Sequence, residues 1–155
     1  METAETIDQI LARQPFFADF PPEYSELVAG CARLCQFQPG EYLFREGDAA
    51  DSFFLIRHGC VALEVAMPGR LPVIVATAND GEVLGAAWLV EPYRSMFDAR
   101  AVNFTRALSF DAKCLRDKSE ADRSLGYEMM KRFLPIFVKR LHAARLQILD
   151  VYGKG

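Results

Sequence analysis

Between Gly40 and Val65 the chain reads GEYLFREGDAADSFFLIRHGCVALEV, in which short apolar runs alternate with glycine-marked breaks. Tyr42-Leu43-Phe44 is strand-like, Gly47-Asp48 is a turn signal, and Phe53 to Ile56 is apolar throughout. After Gly59 an alternating run places Val61, Leu63 and Val65 on one face. The same punctuation continues to Asp111 through Pro68-Gly69, Asn79-Asp80-Gly81 and Pro92, a spacing that suits a jelly-roll β-barrel. Helical periodicity brackets the barrel. Glu5 to Arg13 reads as helix and Pro15-Phe16-Phe17 interrupts it. Pro22 to Leu34 resumes it, with Leu27, Val28, Cys31 and Leu34 at helical spacing. A helix follows Asp111, and a much longer one runs from about Leu125 to Tyr152. The expected organisation is one mainly β domain over residues 1–155, with N-terminal helices at 1–38, the barrel at 39–111 and C-terminal helices at 112–155.

On the last helix, Met130, Leu134, Phe137, Leu141, Ala144, Ile148 and Val151 follow one another at steps of 4, 3, 4, 3, 4 and 3. This is an a/d heptad seam, flanked by Arg140, Arg145 and Gln147, and it predicts a two-stranded coiled coil whose contacts are Leu134, Phe137, Leu141, Ala144 and Ile148. The competing expectation is that the stripe packs on its own barrel. Pro135 lies inside the helix, removes one backbone hydrogen bond, and predicts a kink between a barrel-packing piece and a dimer-forming piece.

Charge narrows the function classes. With 18 basic and 21 acidic residues the net charge is -3, without the basic footprint of a nucleic-acid binder. No apolar run approaches the roughly 20 residues that span a bilayer, and METAETIDQI lacks the layout of a secretion signal, so a cytoplasmic location is expected. The four cysteines, Cys31, Cys35, Cys60 and Cys114, show no CxxC spacing. Cys31 and Cys35 are expected on one helix face, and all four as reduced core thiols. His58 and His142 cannot be brought into one metal site, and no local spacing suggests a nucleophile-base pairing or a Gly-rich P-loop, so neither metal nor catalysis is expected.

The Gly40–Val65 pattern resembles the cyclic-nucleotide-binding domain family, to which catabolite activator protein and the regulatory subunits of protein kinase A belong. The resemblance implies a sensor barrel with a long C-terminal dimerisation helix, and a cyclic nucleotide (cAMP or cGMP) as the ligand class. Asp80 to Met96, DGEVLGAAWLVEPYRSM, falls where that family carries its phosphate-binding cassette. The chemistry is intelligible in its own terms. A glycine at Gly85 lets backbone amides approach a phosphate at a helix start, and an arginine forks charge-assisted hydrogen bonds to it. The implied ligand residues are Leu84, Gly85, Ala86, Ala87, Arg94, Ser95 and Met96, with Trp88 as pocket wall or core.

The chain departs from the family pattern at Ala86, which stands where the family places a glutamate that accepts the ribose 2′-hydroxyl. An unpaired buried hydroxyl costs on the order of 1–3 kcal/mol, or roughly one to two decades of affinity. Met96 replaces the family's alanine, and the segment from Gly85 to Arg94 is about one residue short. Arg100 is expected to pair with Asp98 two residues earlier on the same strand face. In the family's transcription factors a helix-turn-helix follows the dimer helix; here the sequence ends at Gly155, and no DNA binding by this chain is expected. Two functional expectations result. One is a homodimeric sensory module that binds an anionic ligand at Gly85 and Arg94 and signals to an unknown partner protein. The other is a ligand-free dimeric scaffold whose pocket is filled by Trp88 and Met96.

Overall fold

A computed structural model describes residues 5–153. Its strands form two four-stranded antiparallel sheets packed face to face. One sheet takes β1 (Ala32–Phe37), β8 (Thr105–Asp111), β3 (Ser52–His58) and β6 (Val83–Leu84) in that spatial order. The other takes β2 (Tyr42–Phe44), β7 (Asp98–Ala101), β4 (Val61–Val65) and β5 (Val73–Ala78). The helices are α1 (Ile7–Ala12), α2 (Pro22–Ala29), α3 (Ala112–Ala121) and α4 (Arg123–Gly153). The jelly-roll expectation and the long last helix are both met.

The uninterrupted apolar run Phe53-Phe54-Leu55-Ile56 follows from the position of β3, which is buried on both faces. Successive side chains of a strand point to opposite sides. Phe54 and Ile56 face the barrel interior with Val61, Leu63, Leu84, Ala99 and Ala107. Phe53 and Leu55 face the helices, in a second core with Trp88, Phe110, Leu125, Met129 and Phe133. Phe53 is its hub: the ring stacks at 4.5 Å on Phe110 and 5.0 Å on Trp88, and meets Phe133 edge-on at 5.0 Å.

Residues 32–37 form a strand, where helix was expected to run on to Leu34. Gly30 ends α2, and β1 then hydrogen-bonds to β8 from Ala32↔Phe110 to Phe37↔Thr105. The apolar spacing of Leu27, Val28, Cys31 and Leu34 gave way to the backbone groups of β8, which need a partner on that side. Cys31 and Cys35 accordingly share no helix face. Cys31 is joined to Cys114 by a disulfide with Cα atoms 6.1 Å apart, while Cys35 and Cys60 remain free. The expectation of four reduced thiols fails for the first pair, because the fold brings together cysteines 83 residues apart, a proximity no local spacing encodes.

On α4, Leu125, Met129 and Phe133 are buried and Ile136 packs against the same core. The heptad stripe lies one residue further round and is exposed: Leu134 at 61%, Leu141 at 71% and Ile148 at 57%. The stripe therefore does not pack on its own barrel. Every residue from Leu141 to Gly153 is exposed. The helix runs through Pro135, which sits where core packing gives way to the exposed stretch.

Two expected outcomes test this architecture. Phe53→Ala removes the ring that three other aromatics share and should lower unfolding stability by about 3–5 kcal/mol in chemical denaturation, well beyond the loss from Phe53→Leu. Burial pushes the Cys35 thiol up to about 11, with Arg33 opposing. Alkylation of Cys35 in the folded protein should keep accelerating to pH about 11, whereas in the unfolded chain it levels off near the ordinary thiol value of 9.0. A native-state rate that levels off at the unfolded value would contradict the burial.

Candidate functional site

The cassette begins where β6 crosses β3, with Phe54 paired to Leu84. Gly85 has φ 95°, and a Cβ there would come within 3.2 Å of the Phe53 Cα and 3.4 Å of the Ser52 carbonyl oxygen. Glycine meets both the left-handed backbone and the close crossing without strain. A single 3-10 turn, Ala86–Leu89, follows. Ala86, its first residue, is buried.

Trp88 is fully buried, and it stacks on Phe53 on the helix side of β3. It is a core residue on the far face of that sheet and neither walls nor fills the barrel, because the 3-10 turn folds it under the cassette. Met96 is 67% exposed, so it does not plug the barrel either.

The returning segment is fastened to the β2–β3 connection by backbone bonds. Ala50 N–H donates to the Tyr93 carbonyl at 2.8 Å, Ser95 N–H to the Asp48 carbonyl at 2.9 Å, and Gly47 N–H to the Ser95 carbonyl at 2.8 Å. Ser95 is buried by this clamp, whereas Arg94 is exposed and uses Nη1 to reach the Gly47 carbonyl at 3.3 Å. Arg94 is thus held at the loop by its backbone, and one guanidinium donor is engaged there.

On the outer face of the second sheet, Asp98 and Arg100 do share a face, but they do not pair. Arg100 Nε binds Glu64 at 2.5 Å across the β4–β7 ladder. Asp98 receives the Glu46 N–H at 2.7 Å and lies 3.4 Å from Arg45 Nε. The register places Glu64 opposite Asp98 and Ala62 opposite Arg100, so the diagonal across the strands supplies a better partner than the same strand does. Both carboxylates are buried, each with its own arginine, so this cluster is structural.

Arg140 makes contacts beside the cassette that periodicity did not single out. From α4 it reaches to the sheet, where Nη2 donates to the Val83 carbonyl at 3.4 Å and the guanidinium lies 5.8 Å from the Phe97 ring centre. Val83 precedes the cassette glycine by two residues and Phe97 follows Arg94 by three. One side chain therefore touches both ends of the cassette from the helix. Burial lowers the Arg140 pKa from its ordinary value, with the Glu82 charge opposing. Beside it a groove of 580 Å³ runs between α4 and the β5–β6 hairpin, lined by Phe16, Thr77, Val83, Ile136 and Lys139 among others. Arg145 and Gln147 lie on the exposed end of α4. His58 faces Asp80 at 3.7 Å, while His142 is exposed on α4.

No helix among the described residues is long and apolar enough to cross a membrane. Comparison with known proteins gives a consistent family. The human potassium/sodium hyperpolarization-activated cyclic nucleotide-gated channel 1 is 25% identical over 134 residues, which cover 86% of this chain and 14% of the channel. The chain therefore spans a small fraction of the curated relatives it matches. In fold it is similar to a cyclic nucleotide-binding domain from Methylobacillus flagellatus, with TM-score 0.76 and 20% identity over 93% of this chain and 81% of that one. It is also similar to the catabolite activator protein of Thermus thermophilus, with TM-score 0.70 and 23% identity over 90% of this chain and 63% of that one. The model of the cyclic nucleotide-binding domain matches residues 34–122, from β1 to the end of α3, and with the two-sheet barrel and its Gly85 crossing this makes the chain a member of the cyclic nucleotide-binding domain family.

Proposed function

We propose that this domain is a sensor for an anionic small molecule, a cyclic nucleotide or a related phosphate, that engages the cassette at Gly85, Arg94 and Ser95. Leu84, Ala86, Ala87 and Met96 complete the ligand surface, and Arg140 reports occupancy to α4. The observation that carries the reading is the retained cassette frame: a glycine at the β3 crossing, where any side chain would be strained and crowded, and an Arg-Ser pair clamped by three backbone hydrogen bonds. The position of Arg140 supports the coupling. A ligand that competes for its guanidinium, or for the space beside Phe97, biases α4 by its differential affinity for the two positions of that helix.

The output in this reading is a homodimer that signals to a partner protein. Leu134, Phe137, Leu141, Ala144 and Ile148 form a continuous exposed apolar stripe, and an isolated helix end carrying such a stripe has little reason to stay helical in water without a partner. A second copy supplies the same stripe at the same spacing.

The ligand-free scaffold reading keeps one observation in its favour, the buried Ala86 methyl where a ribose hydroxyl would need an acceptor. Trp88 in the other core and Met96 exposed to solvent do not support its filled pocket.

A thermal-shift titration with cAMP, cGMP and a panel of anionic metabolites separates the two. The sensor reading expects a saturable upward shift with at least one phosphate compound. Arg94→Ala should weaken it by about 1.5–3 kcal/mol, roughly ten- to a hundredfold in Kd. No shift with any compound leaves the scaffold. Ala86→Glu restores the missing acceptor, so it should tighten cyclic nucleotide binding by roughly one to two decades while lowering the melting temperature of the free protein, because the carboxylate is then buried without a partner. For the dimer, Leu141→Asp places a charge in the seam and is expected to give monomers in sedimentation velocity. A sedimentation profile unchanged from wild type would remove the coiled coil.

A further inference from the structure

We propose that the Cys31–Cys114 disulfide is a reversible redox site, opened by a thiol reductant entering the adjacent cavity, and that its opening loosens α3 from the cassette. The inference is independent of which ligand the cassette takes.

The two sulfurs lie in different surroundings. Cys31 is buried where α2 gives way to β1, and Lys118 Nζ lies 3.3 Å from its Sγ. Cys114 is half-buried in the first turn of α3, its N–H held by the Asp111 side chain at 3.0 Å. Both cysteines line a 510 Å³ cavity whose rim carries Arg33 and Lys113 together with Asp51 and Asp111. A reductant can therefore reach the bond from solvent. The thiolate that the first step releases on Cys31 is also stabilised in place by an ammonium group.

The step balances with two thiols, or one dithiol. An incoming thiolate bonds to Cys114 Sγ as the Cys114–Cys31 bond breaks, and the electron pair leaves on Cys31 beside Lys118. A second thiolate attacks the reductant's own sulfur in the mixed disulfide, forming the oxidised reductant and releasing the Cys114 thiolate. Two electrons pass to the pair, and the two protons given up by the reductant's thiols end on Cys31 and Cys114. A leaving thiolate of lowered pKa departs faster, so Lys118 acts as a positioning residue for the first step.

The consequence runs along α3. Two residues beyond Cys114, Arg116 donates from Nη1 to the Trp88 carbonyl at 3.0 Å and lies over the Tyr93 ring at 4.3 Å. Trp88 is in the 3-10 turn after Gly85, and Tyr93 directly precedes Arg94. The disulfide thus fixes the end of a helix that touches both sides of the cassette. Trp88, the one tryptophan of the chain, is a built-in reporter of that contact.

The test equilibrates folded protein with glutathione buffers of graded reduced-to-oxidised ratio, counts free thiols by mass after alkylation, and follows Trp88 emission. The expected result is two free thiols at the oxidising end and four at the reducing end, with a midpoint inside the glutathione range and a change in Trp88 emission over the same ratios. Cys31→Ser and Cys114→Ser should each show the reduced emission at every ratio. Lys118→Met should slow reduction about tenfold without altering the emission of the oxidised protein, and Lys118→Arg should restore the rate. A pair that stays closed at every glutathione ratio and yields only to dithiothreitol in denaturant is a structural staple, and overturns the proposal. So does reduction that leaves Trp88 emission unchanged.

Discussion

The rest of the structure depends on one strand being buried on both faces. β3 lies between the barrel interior and the helix layer, so its run of apolar residues does not alternate with polar ones as a surface strand's would. Phe54 and Ile56 close one core, Phe53 and Leu55 organise the other. The cassette is laid directly across this strand. Gly85 crosses Phe53 closely enough to crowd any Cβ, and three residues later Trp88 turns down into the Phe53 stack. The position of the Gly85 loop and the packing of the helix layer are therefore set by the same ring.

Because both α3 and α4 close on that ring or on the cassette above it, changes on either side are felt on the other. Phe133 of α4 meets Phe53 and Trp88 edge-on, Arg116 of α3 bonds the Trp88 carbonyl, and Arg140 of α4 reaches Val83 and Phe97. Well-packed aromatic cores resist small continuous displacements, so a shift in the cassette is more readily passed on as a movement of a helix than absorbed locally. α4 is suited to carry it outward, since its first half is anchored in the core and its last stretch, from Leu141 to Gly153, is exposed.

What the sequence made legible was whatever local chemistry dictates. Gly47, Gly59, Gly81 and Gly85 mark turns and a crossing because few other residues tolerate those backbone angles, and the apolar run of β3 announces a strand. The a/d stripe on α4 was legible in its spacing, and the structure separates it cleanly from the inward stripe one residue away. What was not legible depends on contacts between distant parts of the chain. β1 reads as helix by its own spacing and becomes strand because β8 offers unpaired backbone. Cys31 meets Cys114 only once α2 and α3 lie on the same side of the barrel. Asp98 is two residues from Arg100, yet the ladder register gives Arg100 to Glu64.

Arg140 shows the same limit at the site itself. By heptad position it is a flank of the exposed seam, indistinguishable in sequence from Arg145, but it stands at the level of Val83 and Phe97 while Arg145 lies on the bare end of the helix. A long charged side chain beside an apolar groove keeps its stem on that surface and sends its head to the nearest acceptor, here a backbone carbonyl of the strand leading into Gly85. Desolvation makes that placement costly for the charged guanidinium, and the nearby Glu82 charge opposes the cost. The register of the sheet, not the heptad, therefore decides which arginine of α4 is held at the cassette and which is left in solvent.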